Sequence, residues 1–249
     1  MKKFSLFLGT LLLGVSMHAG SYVTSTTTFR TDPLNNNIEF ELDHHYAYTW
    51  GITSAANGSQ NTYTGLKDQL KVGTGWEVVS VKVTFEDIWD WVKEDNDRLW
   101  LTLVDTDFKG GSGKDLKKGV TEYSDNADDI ESADPGKNYF KNDKTKVIGY
   151  WTDPKGGNKN DAINVTFTFN STQISSLVAY INNGGATGSN AGNYADFGLA
   201  FDPDCHYYNT GIKLEVVTKK YYVPDGGASV ALLGAGVLTV AALRRRFIR

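Results

Sequence analysis

Apolar and polar residues alternate along most of this chain. In NNIEFELDHHYAYTWGIT, Ile38, Phe40, Leu42, His44, Tyr46, Tyr48, Trp50 and Ile52 share one face of an extended backbone, with Glu39, Glu41, Asp43, His45 and Thr49 on the other. That period of two predicts one long half-buried strand, or two strands joined by a bend. WEVVSVKVTFEDIW continues the pattern, setting Val79, Val81, Val83 and Phe85 against Ser80, Lys82 and Thr84. RLWLTLVDTDF places Leu99, Leu101 and Leu103 on one face and Trp100 and Val104 on the other. From about Lys109 to Asn142 the chain is rich in Gly, Lys and Asp, too long for a hairpin, and reads as an insertion over one end of the fold or a partly disordered loop. Alternation resumes in KVIGYWTD and in INVTFTF, where Val165, Phe167 and Phe169 share a face, and again in YADFGLAFD and IKLEVVT.

The period changes once. In STQISSLVAYINNGG, Ile174, Leu177, Val178 and Ile181 recur at helical spacing, with Ser171 or Thr172 as the cap and Gly184 as the stop. Short strands separated by Gly, Asn and Asp clusters, with one helix, predict a mainly β protein: an antiparallel β-sandwich of jelly-roll type. The Trp and Tyr residues lie mostly on these strand faces, so core packing explains them first.

Both ends break the pattern. MKKFSLFLGTLLLGVSMHAG sets Lys2 and Lys3 before an apolar run and small residues at Ala19 and Gly20, the layout of a secretory signal peptide over 1–19. At the other end VPDGG (223–227) precedes an apolar stretch over 228–243 and then Arg244, Arg245 and Arg246 in the tail 244–249. Pro and Gly interrupt regular structure there. As a helix the apolar stretch would span roughly 24 Å against a hydrocarbon core of about 30 Å, a marginal transmembrane helix with its arginines as a cytoplasmic stop. The mean hydropathy of the whole chain is only -0.35, so the domain between, 20–222, is polar overall. Without residues 1–19 and 228–249 the chain keeps 19 of the 25 Lys and Arg against all 29 Asp and Glu. That acidic balance argues against nucleic acid as a partner. One cysteine, Cys205, excludes an internal disulfide, so burial and backbone pairing must hold the domain together.

The order of VPDGG turn, small-residue-rich apolar helix and terminal arginines resembles the VPDSG-CTERM sorting signal, a relative of the PEP-CTERM signals. Val223, Pro224, Asp225 and Gly227 match, and Gly226 stands where the name has serine. The resemblance implies a transient inner-membrane anchor, cleavage by an exosortase-type membrane transpeptidase, and delivery to the cell surface or the extracellular polysaccharide matrix. YADFGLAFDPDCHYYNTGIKLEVV and YTWG are similar to stretches of sandwich domains that carry such tails, including the THxN family, although the chain has no Thr-His-x-Asn. These families imply no enzymatic role.

Candidate chemistry in the domain is sparse. Asp202, Asp204 and His206 alternate, so an extended chain would converge them on one face fit for a metal, calcium by its carboxylates. The competing reading is structural, since Asp before Pro203 and Asn209 before Thr-Gly are turn formers whose side chains accept backbone N–H bonds. Cys205, on the opposite face, reads as a small buried hydrophobe. DTDFKG begins like a calcium loop, but Lys109 at position 5 and Leu116 at position 12 exclude an EF-hand. The acidic run SDNADDIESADPG reads as a solvated loop. ELDHHY offers Glu41 and Asp43 at the spacing of a retaining glucanase strand, yet Tyr46 replaces the acid/base Glu. The chain is therefore expected to be a non-catalytic surface or matrix protein. The rival is a carbohydrate-binding module that stacks sugars on Trp89, Trp91 or Trp151.

Overall fold

The computed structural model describes residues 21–31, 40–52, 66, 70, 72–73, 75–90, 98–105, 108, 116, 119–124, 138–140, 145–154, 156–183, 195–222, 234 and 236. The chain divides into two units, one spanning Val23–Lys220 and the other Met1–Tyr22 with Tyr221–Arg249. The expected signal peptide, 1–19, and, apart from Gly234 and Gly236, the whole of 223–249 fall outside the described residues. Among the described residues no helix is long and apolar enough to cross a membrane. In the smaller unit Tyr22 and Tyr221 set their rings 6.3 Å apart.

Among the described residues there are eleven strands and one α-helix. The strands are β1 (Tyr22–Arg30), β2 (Phe40–Leu42), β3 (Tyr46–Ile52), β4 (Trp76–Asp90), β5 (Leu99–Asp105), β6 (Gly119–Ser124), β7 (Thr145–Trp151), β8 (Ile163–Thr168), β9 (Phe197–Pro203), β10 (Tyr207–Asn209) and β11 (Gly211–Tyr221), with helix α1 at Ser171–Asn183. One sheet runs β1-β11-β4-β10-β2, with β8 also on β4; the other runs β6-β3-β9-β5-β7. The pairs with an assigned register are antiparallel. β10 and β11 follow one line along β4, since Tyr208 faces Trp89 and Gly211 faces Glu86 in the same register.

Alternation puts one apolar face of each sheet against the other. Val81, Val83 and Phe85 of β4 and Leu99, Leu101 and Leu103 of β5 share one buried core with Phe197, Leu199, Phe201, Ile212 and Leu214. Phe85 is its hinge point, edge-on to Phe201 of the opposite sheet at 5.4 Å and to Phe167 of β8 at 5.9 Å. Cys205 is buried in the same core.

Of the two readings of the stretch up to Ile52, the second is found, two strands joined by a bend, because the chain turns at His44 and His45 and the Tyr46 N–H donates to the Asp43 carbonyl at 3.0 Å. Several expectations are corrected. Beyond the turn β3 is buried on both faces rather than half-buried. Val79 does not share the face of Val81: Val217 faces Ser80 and Thr218 faces Val78, so Val79 is an extra residue in a β-bulge and is exposed while Val78 is buried. The predicted loop 109–142 contains β6, paired to β3. Its Leu116 and Phe140, together with Phe108, form a second cluster with Ala47, Val104, Tyr123 and Ala200 on the other face of the β6–β7 sheet. That cover is why β5 and β9 are buried on both sides. The helix cap is Asn170, one residue earlier than expected: its Oδ1 accepts the Gln173 N–H at 2.9 Å while Gln173 Oε1 accepts the Asn170 N–H at 2.8 Å. The expected stop, Gly184, lies outside the described residues.

Candidate functional site

The residues that carry chemistry gather where the β2–β3 turn meets the start of β10. Asp43, His44 and His45 occupy the turn, and His206 ends the segment 204–206 that joins β9 to β10. One ligand atom from each of the four lies within 4.8 Å of every other. Asp43 Oδ1 is the centre: His45 Nδ1 is 2.9 Å from it, His206 Nε2 3.6 Å and His44 Nδ1 3.8 Å. The His44 ring stands 4.0 Å from that of His45 and 4.7 Å, edge-on, from that of His206.

The backbone holds Asp43 in place. The His45 N–H donates to Asp43 Oδ1 at 2.9 Å, and the Asp43 N–H donates to the Tyr48 hydroxyl oxygen at 2.9 Å. Burial pushes the Asp43 carboxyl up, but the backbone and ring bonds of His45, with His206 nearby, outweigh it and hold the group below the usual carboxylate range. Burial drives the Tyr48 hydroxyl well above its usual value, so it stays a neutral partner for that N–H. On its far side His206 meets Glu41, with Nδ1 2.9 Å from Oε1. His44, His206 and Asp43 are about three-quarters shielded, whereas His45 is 67% exposed, so the cluster is reachable from solvent.

Asp202 and Asp204 lie elsewhere in the hydrogen-bond network. Asp202 is buried, and its Oδ2 accepts the Tyr139 N–H at 2.7 Å, fastening the segment that covers the outer face of the second sheet. Asp204 donates its N–H to the Arg98 carbonyl at 2.7 Å. Of the alternating trio only His206 joins the cluster. The period-two reading separated His44 from His45 because it carried the strand through a turn; the adjacent His pair after an Asp was the available signal. Glu41 and Asp43 both approach one imidazole, on its two nitrogens.

Of the candidate aromatics, Trp89 is half-buried and stacks on Tyr208, with centroids 4.7 Å and planes 22° apart. Trp151 packs against the main core and lies 5.5 Å from Tyr207, while Trp91 is outside the described residues. Glu41, Tyr208 and Trp89 are register neighbours across β2, β10 and β4, so all three project from one face.

In comparison with protein families, residues 222–247 fit the VPDSG-CTERM motif. This C-terminal signal implies an exported protein processed by an exosortase-type enzyme and displayed at the surface. No curated protein matches the chain.

Proposed function

We propose that this chain is a non-catalytic component of the cell surface or the exopolysaccharide matrix. In this reading a jelly-roll-type sandwich, 20–222, is exported by its signal peptide and held briefly by a transmembrane helix over 228–243. An exosortase-type transpeptidase then releases it at 223–227. The VPDSG-CTERM match at 222–247 is the observation that carries it. A closely packed two-sheet core supports a structural role. Releasing the parent and a Pro224→Ala, Asp225→Ala variant side by side tests it: the parent should be shed from the membrane fraction and the variant retained. Equal shedding would remove the sorting reading.

The Trp89–Tyr208 stack supports a second reading, binding to a glycan. Two aromatic side chains beside the Glu41 carboxylate offer an apolar surface and an acceptor for sugar hydroxyls. Pull-down on insoluble polysaccharides should retain the parent and lose Trp89→Ala. Retention of both would exclude this pair as the contact.

A further inference from the structure

We infer that His44, His45, His206 and Asp43 form a binding site for a divalent transition-metal ion of the zinc, copper or nickel class, with Glu41 as the outer-sphere partner of His206. The site lies outside the sorting segment and does not depend on the surface role.

The donor set selects the class of ion. Three imidazoles and one carboxylate suit zinc, copper and nickel, whereas calcium demands six or more oxygens. The geometry agrees. Four donors placed tetrahedrally at about 2.0–2.1 Å from an ion stand ~3.3 Å from one another. The three nitrogen-to-Asp43 Oδ1 distances, 2.9, 3.6 and 3.8 Å, bracket that edge. The widest separation in the set, 4.8 Å, exceeds it by about 1.5 Å, within reach of small side-chain rotations at a solvent-facing turn. His45 would bind through Nδ1 and carry its proton on the exposed Nε2.

Glu41 supplies an independent pointer. A ligating histidine commonly donates its other ring N–H to a carboxylate, which fixes the tautomer and aims the remaining lone pair at the metal. With Glu41 Oε1 2.9 Å from Nδ1, His206 would donate there when an ion is bound and present Nε2, 3.6 Å from Asp43 Oδ1, to it. Asp43 is pre-oriented by the His45 backbone N–H. The fold also concentrates the ligands: of the four histidines in the chain, the three beyond the leader meet at this point from two distant segments. An ion held by all three imidazoles would add cohesion between the β2–β3 turn and the start of β10.

The full chain, purified in detergent without a polyhistidine tag, should be titrated with Zn²⁺, Cu²⁺, Ni²⁺ and Ca²⁺ by calorimetry. The expected result is one Zn²⁺ or Cu²⁺ per chain, a melting temperature raised by the ion and restored by chelator, and no competition from Ca²⁺. Glu41→Ala should weaken binding by about 10–100-fold, and a His44→Ala, His45→Ala, His206→Ala variant should lose it. Binding that is equal in the triple variant, or confined to Ca²⁺, overturns the assignment, as does the absence of binding. Should the triple variant fail to fold, electron paramagnetic resonance of the Cu²⁺-loaded parent decides: coupling to several imidazole nitrogens upholds the site, and an oxygen-only signature refutes it.

Discussion

Asn170 and Gln173 close the first turn of α1 by exchanging hydrogen bonds, each side-chain oxygen accepting the backbone N–H of the other at 2.8–2.9 Å. Gln173 also donates through Nε2 to the Val147 and Ile148 carbonyls of β7 at 3.1 and 3.2 Å, so one buried amide both starts the helix and fastens it to a sheet. Asn170→Ala should cost about 1 kcal/mol, the usual loss for a cap. Gln173→Ala should cost more, about 1–3 kcal/mol, because it also strips a donor from two part-buried carbonyls of β7. Urea unfolding of both variants checks the order.

Gly198 is small because of its neighbours. A Cβ there would stand 2.8 Å from Leu116 Cδ2 and 3.3 Å from the Trp50 carbonyl oxygen. Gly198→Ala should therefore destabilise the domain by about 1–3 kcal/mol through overpacking. Combined with Leu116→Ala it should lose less than the two single changes together, since the methyl fills space that the leucine leaves. A double-mutant cycle in urea measures the difference.

The bulge at Val79 predicts unequal responses along β4. Val79 is exposed, so Val79→Thr should change stability by no more than about 0.5 kcal/mol. Phe85 is fully buried between the sheets, and Phe85→Ala should cost about 3–5 kcal/mol. Comparable losses at the two positions, measured by thermal unfolding, would contradict the register.

Alkaline pH should unfold the protein partly through its tyrosines. Burial raises the hydroxyls of Tyr48 and Tyr180 above their ordinary value, so the unfolded chain ionises first. Their contribution is fully present below about pH 10 and is lost as pH rises through the folded values. Tyr180→Phe should leave stability near neutral pH almost unchanged and flatten the decline above about pH 10. Urea midpoints across that range are the readout.

Much of the core was legible because its strands obey a strict alternation. Leu99, Leu101 and Leu103 turn inward as a period of two requires, and Val165, Phe167 and Phe169 do the same. The strand β1 escaped notice because its Thr-rich sequence leaves each side chain exposed or only half-buried, and β6 because it sits in a polar, glycine-containing stretch. Val79 misled because a bulge is a property of the paired strand as well as of its own segment. Asn170 preceded two residues that are themselves good caps, and only the reciprocal bond to Gln173 selects it.

The sequence alone determined the destination signal, since VPDGG, the apolar run and the arginines act through a local, contiguous pattern. It also determined the two-faced strands, whose side-chain order is set by the backbone repeat. Only the tertiary structure decided which histidines meet. A turn of two residues brings His44 and His45 to one side, and antiparallel pairing of β2 with β10 carries His206 to them, and to Glu41 of β2, from the far end of the chain. Such a cluster is a product of register, and register emerges only when the sheets have formed.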